Sequence, residues 1–284
     1  MPVQTSTAAE MHQTSTELRR RRPQRTAAQG AAIAVVSTVT VLVLGYFLIT
    51  RSSGWPKVHK SFFNGKRFAE SLPEIWSKFG ENVKIFLVCE LAILVLGLLL
   101  AVLRTSKSPA LFPFRAFSVL FTDVMRGIPL TLLIFLFGFG IPGLGLDRPW
   151  NNATIWGALA MVLVYSAYVC EVFRAGIESI HPSQMAAARG LGLSRPQGMR
   201  YIVVPQAVRR VVPPLLNDFI GLQKDTAQLQ ALGLIEAVRA AQMQVSKGFN
   251  FTPYFGVAML FLIITIPQTR FVDWMQARER KRQR

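Results

Sequence analysis

Acidic residues, cysteine and histidine are all scarce in this sequence. The 284 residues contain 15 Asp and Glu against 32 Lys and Arg, which gives a formal net charge of +17 at pH 7. Cys89 and Cys170 both lie in apolar runs, and the three histidines are scattered through polar segments. These patterns exclude a disulfide framework, a redox pair and a metal site with recognisable ligand spacing. The sequence also lacks a GxxxxGK[ST] phosphate-binding loop, so any ATP that it uses must bind to another subunit.

Long apolar runs are what the sequence has in abundance. The run from Gly30 to Thr50 has 21 uncharged residues, which is enough to cross a bilayer as a helix. Further candidate spans are Ile85–Leu103, Ala116–Ile141, Ala153–Cys170, Val211–Gln223 and Pro253–Phe271. We therefore predict an all-α integral membrane protein with five core spans and one additional N-terminal span.

The distribution of basic residues predicts the orientation. With the N-terminus inside, 20 of the 32 Lys and Arg lie in cytoplasmic segments and ten lie outside, as the positive-inside rule requires. Both termini are then cytoplasmic, and the bias explains the net charge without nucleic acid. The predicted segments are a disordered basic tail (1–29), the N-terminal span (30–50), an extracytoplasmic interfacial segment (51–82), a transmembrane domain (83–272) and a basic tail (273–284).

A polar stretch within the transmembrane domain, QMAAARGLGLSRPQGMRYIVVP at residues 184–205, has an unusual pattern. It predicts a short helix from Pro182, a glycine break, and a second helix opened by Ser194 as N-cap and closed by Pro205. We call residues 182–205 the knob. The alternative interpretation is an ordinary helix-turn-helix connection between two spans.

The knob resembles the coupling loop of ABC-importer membrane subunits, in which EAA is followed by three residues, Gly, nine residues and I-x-L-P. The residues that match in register are Ala187, Ala188, Gly192, Ile202 and Pro205. Ala186 replaces the Glu of the motif, and Val204 replaces its Leu. The resemblance implies that the loop contacts an ATPase. The three consecutive alanines would form a smooth helical face that enters a groove, and Gly192 would permit close backbone approach.

The resemblance extends over residues 80–272 to the permeases of polar amino-acid ABC importers. The similar segments are FTDVMRGIPLTLLIFLFGFG, YVCEVFRAGIESI and PQAVRRVVPPLLNDFIGLQKDT. It implies a type I importer fold in a bacterial cell membrane, with a second permease subunit that is identical or paralogous. It also implies an extracytoplasmic substrate-binding protein and an ABC ATPase dimer that binds ATP and Mg²⁺. This chain itself would bind no cofactor and catalyse no reaction.

Charges within predicted spans are costly, about 2.5–3.5 kcal/mol at a span centre, so each requires an explanation. Arg126 precedes Gly127 and Pro129, which interrupt regular helix, and an arginine at such a break suits a substrate carboxylate. The alternative is an ion pair with Asp123 on the same helical face.

Two further polar groups are candidates for the substrate pathway. Lys224, Asp225, Thr226 and Gln228 form a run too polar to face lipid, so they line a pathway or pack against a partner subunit. Glu90 would contact an α-amino group or pair with Arg126 or Lys224.

Taken together, these features predict the permease subunit of an ATP-driven importer for a polar amino acid. Glutamate, or another acidic or amide amino acid, is the expected substrate because Arg126 and Lys224 offer cations. The alternative is a secondary transporter driven by an ion gradient, but such proteins show repeats and intramembrane acidic relays that this pattern lacks.

Overall fold

The computed structural model describes residues 29–106 and 108–282, and the expected disorder of the N-terminal tail concerns residues that lie almost entirely outside this part. Within the described residues the chain forms helices and no β-strand. The α-helices are α1 Gln29–Thr50, α2 Trp55–Phe62, α3 Gly65–Thr105, α4 Phe112–Gly127, α5 Leu130–Gly140, α6 Ala153–Glu178, α7 Pro182–Gly190, α8 Arg195–Gly198, α9 Val204–Asp225, α10 Ala237–Ser246 and α11 Thr252–Arg282. These helices confirm the predicted all-α class.

The chain divides into two compact units, Met1–Lys60 and Ser61–Arg284. In the first unit, α1 is a 22-residue helix of mean hydropathy 2.4, and none of its most apolar window is buried. A helix that is apolar all round and exposed on every face suits lipid as its surroundings.

Helix α3 is much longer than the apolar run that predicted it. Asn64 caps its first turn by accepting a hydrogen bond from the amide of Arg67 at 3.1 Å. The helix then continues across the expected boundary between residues 82 and 83, and its Ile75 and Phe79 are buried against α10 and α11. Residues 65–82 are therefore part of the packed helical domain rather than a separate interfacial segment.

Helix α6 is the centre of the second unit. It packs against α3, α5 and α9, with Ile93, Met161 and Leu222 fully buried between them. Lipid is as apolar as these side chains, so close packing rather than water exclusion holds such helices together.

The predicted span Ala116–Ile141 is broken in two. Helices α4 and α5 meet at an angle of 102°, and the turn between them consists of Ile128 and Pro129. Ile128 is extended, with φ −104° and ψ 132°, because a residue before proline avoids the α region. The break leaves backbone groups at the C-terminal end of α4 free for other contacts.

The number of described helices that are long and apolar enough to cross a membrane is lower than the six spans predicted. Among the described residues, four helices are long and apolar enough to cross a membrane, or five if the bent α4–α5 pair is one span. The predicted span Val211–Gln223 lies in α9, which is not among them. Its two internal prolines and its polar residues explain the low apolar character.

Candidate functional site

The knob forms, but its second half differs from the prediction. Helix α8 has only four residues and continues through a π-helical turn, Met199–Val203, into α9. Pro205 therefore lies in the first turn of α9 and does not close a helix. Proline is tolerated there because the first amides of a helix have no intrahelical partner.

Two glycines shape the knob in different ways. Gly192 has φ +83°, a left-handed conformation that costs other residues roughly 1–2 kcal/mol, yet no atom lies within 4 Å of a Cβ placed on it. A close contact within the knob is found at Gly198, where a Cβ would lie 2.8 Å from the sulfur of Met185 and 3.3 Å from Cβ of Ala188. The knob therefore needs Gly192 for its turn and Gly198 for its packing.

The alanines do not all share one exposed face. Ala188 is fully buried, whereas Ala186 and Ala187 are exposed. The exposed surface of this part of the knob therefore consists of Ala186, Ala187 and the nearby Leu191, which is 80% exposed. Ile202 is half-buried and Pro205 is exposed.

Several hydrogen bonds tie the knob together without the glutamate of the motif. Gln206 Nε2 donates to Gln184 Oε1 at 3.3 Å, and Gln197 Oε1 accepts from the amide of Ser194 at 2.8 Å. A guanidinium hydrogen of Arg210 is donated to the carbonyl of Ser179. The first bond anchors the knob to α9, and the last joins α9 to the end of α6 beside the knob.

A cavity of about 500 Å³ opens beside the break between α4 and α5. Its wall includes Arg126, Gly127, Pro129, Tyr165, Tyr168 and Asp218. The guanidinium of Arg126 lies 5.6 Å from the ring centroid of Tyr168, a cation–π distance that holds the charge at the cavity wall. Asp218, from α9, places an acidic group in the same space.

The ion-pair partner of Arg126 is not the one expected. Among the described residues Arg126 forms no ion pair with Asp123 or Glu90; it lies 3.7 Å from Glu171 instead. Glu171 is shared, because Arg104 approaches it at 2.5 Å and Arg174 at 2.6 Å. Arg174 also pairs with Glu178 at 2.5 Å, so two carboxylates face three guanidinium groups. The contact of Arg126 with Glu171 is the longest of the three to that carboxylate, which leaves Arg126 with charge available to another anion.

The other predicted pathway residues are spread over several contacts. Tyr165 donates to Asp225 at 2.8 Å, and Thr131 of α5 donates to Gln228 at 2.7 Å. Lys224 is exposed and forms no ion pair with a described residue. Of the six predicted pathway residues, Arg126 is the one found among the side chains that line the cavity.

Glu90 is half-buried on α3 and is not part of the cavity wall. It lies near enough to Asp218 for the two carboxylates to interact electrostatically. Neither of the pairings expected for it, with Arg126 or with Lys224, occurs among the ion pairs of the described residues.

The sequence analysis missed a buried polar junction that includes Thr226. Asn82 Nδ2 donates to Thr226 Oγ1 at 3.1 Å and to Glu236 Oε2 at 3.0 Å. Glu236 is fully buried and caps α10 by accepting from the amides of Val238 and Arg239. We call Asn82, Thr226 and Glu236 the polar junction. The sequence could have indicated the cap, because Glu236 lies directly before the first residue of α10 and three residues after Gly233.

A helical membrane domain with a broken span, a charged cavity and a knob that turns at a glycine fits the class of transport permeases. The chain belongs to one family of that class, because residues 93–281 match the family model described as binding-protein-dependent transport system inner membrane component. The curated relatives are amino-acid ABC transporter permeases, so the predicted resemblance is confirmed. Members are the transmembrane components of ATP-driven importers, which sets aside the alternative of a secondary transporter.

Individual relatives cover most of the domain. The probable glutamine ABC transporter permease protein GlnM of Bacillus subtilis is 34% identical over 188 residues, 66% of this chain and 84% of the relative. The arginine transport system permease protein ArtQ of the same organism is 30% identical and covers 74% of this chain and 93% of its own length. A solved amino acid ABC transporter, crystallised with histidines, aligns with a TM-score of 0.66 and 26% identity over 76% of this chain and 98% of that chain.

Proposed function

We propose that the cavity beside the α4–α5 break binds a zwitterionic polar amino acid during transport. The observation that supports this most directly is that Arg126 and Asp218 both lie on the wall of one cavity. Arg126 suits an α-carboxylate through a bidentate hydrogen bond. Asp218, on the same cavity wall, suits an α-ammonium group.

Within this class we propose an amide side chain, with glutamine as the first substrate to test. The expectation of glutamate rested partly on Lys224, which is exposed and is not among the residues of the cavity wall. A second carboxylate in the substrate would find Asp218 on the cavity wall rather than a second cation. Two of the relatives are named as probable glutamine permeases, which agrees with this choice. Glutamate stays a prediction to be measured beside glutamine.

The first prediction concerns Arg126. Replacing Arg126 by Gln removes a charge-assisted hydrogen bond of about 1.5–3 kcal/mol, so we expect uptake of glutamine to fall by about 10- to 100-fold. The measurement is ATP-driven uptake of labelled glutamine and glutamate into proteoliposomes that contain the full transporter. Arg126→Lys keeps the charge but not the planar guanidinium, so its uptake should lie between that of the native protein and that of Arg126→Gln.

Arg115→Gln is the matched control, because Arg115 lies on the same helix but outside this cavity and stacks on Phe112. It should leave uptake within about twofold of the native protein, because a single exposed charge contributes little free energy. Co-purification of the ATPase tests assembly in each variant. Native uptake by Arg126→Gln in an intact complex would contradict the proposed site.

We further propose that a separate ATPase dimer hydrolyses ATP bound with Mg²⁺ and acts on this chain through the knob. A second permease subunit and an extracytoplasmic binding protein complete the importer in this proposal. The family, which consists of the membrane components of binding-protein-dependent systems, supports such partners. The exposed Ala186, Ala187 and Leu191 are the surface that we assign to the ATPase contact.

The proposed orientation places the N-terminus, the knob and the C-terminus in the cytoplasm. The native Cys89 and Cys170 are buried, so they leave a low background for cysteine labelling. We expect an impermeant maleimide to label a cysteine at Ser61 on whole cells, and a cysteine at Ser6 only after permeabilisation. Labelling of position 6 and protection of position 61 on intact cells would reverse the orientation.

A further inference from the structure

A second concave site lies where the N-terminal part of α9 passes the C-terminal part of α11. It is a groove of about 290 Å³, separate from the cavity at Arg126. We call it the α9–α11 groove. Its wall includes two arginines, one tryptophan and three apolar side chains: Arg209, Arg278, Trp274, Val208, Val212 and Met275.

The two arginines of this groove supply its positive charge. Neither Arg209 nor Arg278 forms an ion pair with a side chain that the structure describes, although Arg270, earlier on the same helix, pairs with Asp273 at 3.3 Å. Arg278 is instead held over the ring of Trp274, with its Cζ 5.4 Å from the ring centroid. Two guanidinium groups beside one groove make it suitable for an anion.

The backbone adds an acceptor to the same groove. Pro213 lies inside α9 and lines the groove, and a proline has no amide hydrogen to donate to the carbonyl four residues earlier. The carbonyl of Arg209 therefore lacks its usual helical donor. A ligand with both a phosphate and hydroxyl groups would satisfy the arginines and this carbonyl together.

The surroundings of the groove point to a lipid rather than to a soluble anion. Val208 is 52% exposed, and the exposed apolar residues Phe271 and Ile263 continue along one face of α11 away from the arginines, at 53% and 62%. Trp274 is 55% exposed at the junction between the charged and the apolar parts. Tryptophan and arginine at the end of an apolar helix are typical of the membrane–water interface.

We propose that the α9–α11 groove binds an anionic phospholipid, with its phosphate between Arg209 and Arg278 and an acyl chain along Phe271 and Ile263. Arg binds phosphate bidentately, and anionic lipid surfaces attract basic residues near the interface. Phosphatidylglycerol has the required charge together with hydroxyl groups for the carbonyl of Arg209.

The position of the groove gives the lipid a consequence for coupling, which rests on the proposed function of the knob. Helix α9 begins directly after the knob, and the groove lies within its first turns. A lipid that joins α9 to α11 would brace the helix through which the knob moves the membrane domain. We therefore expect ATP-driven uptake to depend on phosphatidylglycerol in the bilayer.

The experiment is native mass spectrometry of the purified full transporter in detergent, titrated with phosphatidylglycerol or with phosphatidylcholine. The native protein should retain phosphatidylglycerol in preference to phosphatidylcholine. The double variant Arg209→Gln/Arg278→Gln should lower the affinity for phosphatidylglycerol at least about tenfold. The matched control, Arg115→Gln/Arg270→Gln, removes the same charge outside the groove and should bind like the native protein.

Three results would overturn the proposal: equal retention of the two lipids by the native protein, unchanged phosphatidylglycerol binding by the groove variant, or equal loss in the control. If the groove variant instead loses a protein subunit from the complex while its lipid is retained, the groove is a subunit contact and not a lipid site. Lipid binding is measured without transport, so its result does not depend on whether the proposed substrate site or the proposed coupling role is correct.

Discussion

Replacing Gly192 by Trp is expected to abolish ATP-driven uptake while the protein still inserts in the membrane. Gly192 has φ +83° at the turn of the knob, and any larger residue there is strained by roughly 1–2 kcal/mol. No atom lies within 4 Å of its Cβ position, so a tryptophan would project outward from the knob. It would then occupy the space that the proposed ATPase groove needs.

Matched variants separate strain from bulk at this position. Gly192→Asn keeps a residue that tolerates the left-handed region, so we expect it to retain most uptake. Gly190→Ala lies in the helical part of the knob with open space around it, and should also be mild. Uptake and ATPase activity are measured in proteoliposomes for each variant, so that the effect of backbone strain can be compared with the effect of side-chain bulk. Undiminished uptake by Gly192→Trp would contradict the role of the knob in coupling.

The sequence predicted this turn for a reason that is local. A glycine between two short helical patterns indicates a break, and Gly192 has the left-handed conformation that glycine favours. The partner of Gly198 could not be predicted in the same way, because Met185 and Ala188 reach it only after the two helices fold together. Local conformation was thus accessible from the sequence, and packing between elements was not.

The same distinction applies to the charged residues. Arg126 was predicted to lie at a helix break, and it does, because Gly127 and Pro129 act on the adjacent backbone. Its partner Glu171 comes from α6 and is distant in sequence. Asp218 was passed over because nothing near it along the chain shows that it faces Arg126. Apolar runs likewise predicted where spans lie, but not that α3 continues through its polar first half.

The polar junction carries the last prediction. Replacing Glu236 by Ala leaves Asn82 and the amides of Val238 and Arg239 without their acceptor, in a place where Glu236 itself is fully buried. A buried donor without a partner costs about 1–3 kcal/mol, so we expect a loss of about 3 kcal/mol or more in the free energy of unfolding. The measurement is thermal unfolding of the purified protein in detergent, and Glu236→Gln, which keeps one acceptor, should be milder.

Glu81→Ala supplies the comparison, since Glu81 lies next to Asn82 but pairs with the exposed Lys84 at 2.9 Å. Such a surface pair contributes about 0–1 kcal/mol, so this variant should unfold close to the native temperature. Asn82 joins α3 to the start of α10 through Glu236, and it also joins α3 to Thr226, which directly follows α9. Three donors should not lose a shared buried acceptor without a measurable loss of stability. If Glu236→Ala unfolds at a temperature as high as that of Glu81→Ala, the stability of the protein does not depend on the polar junction.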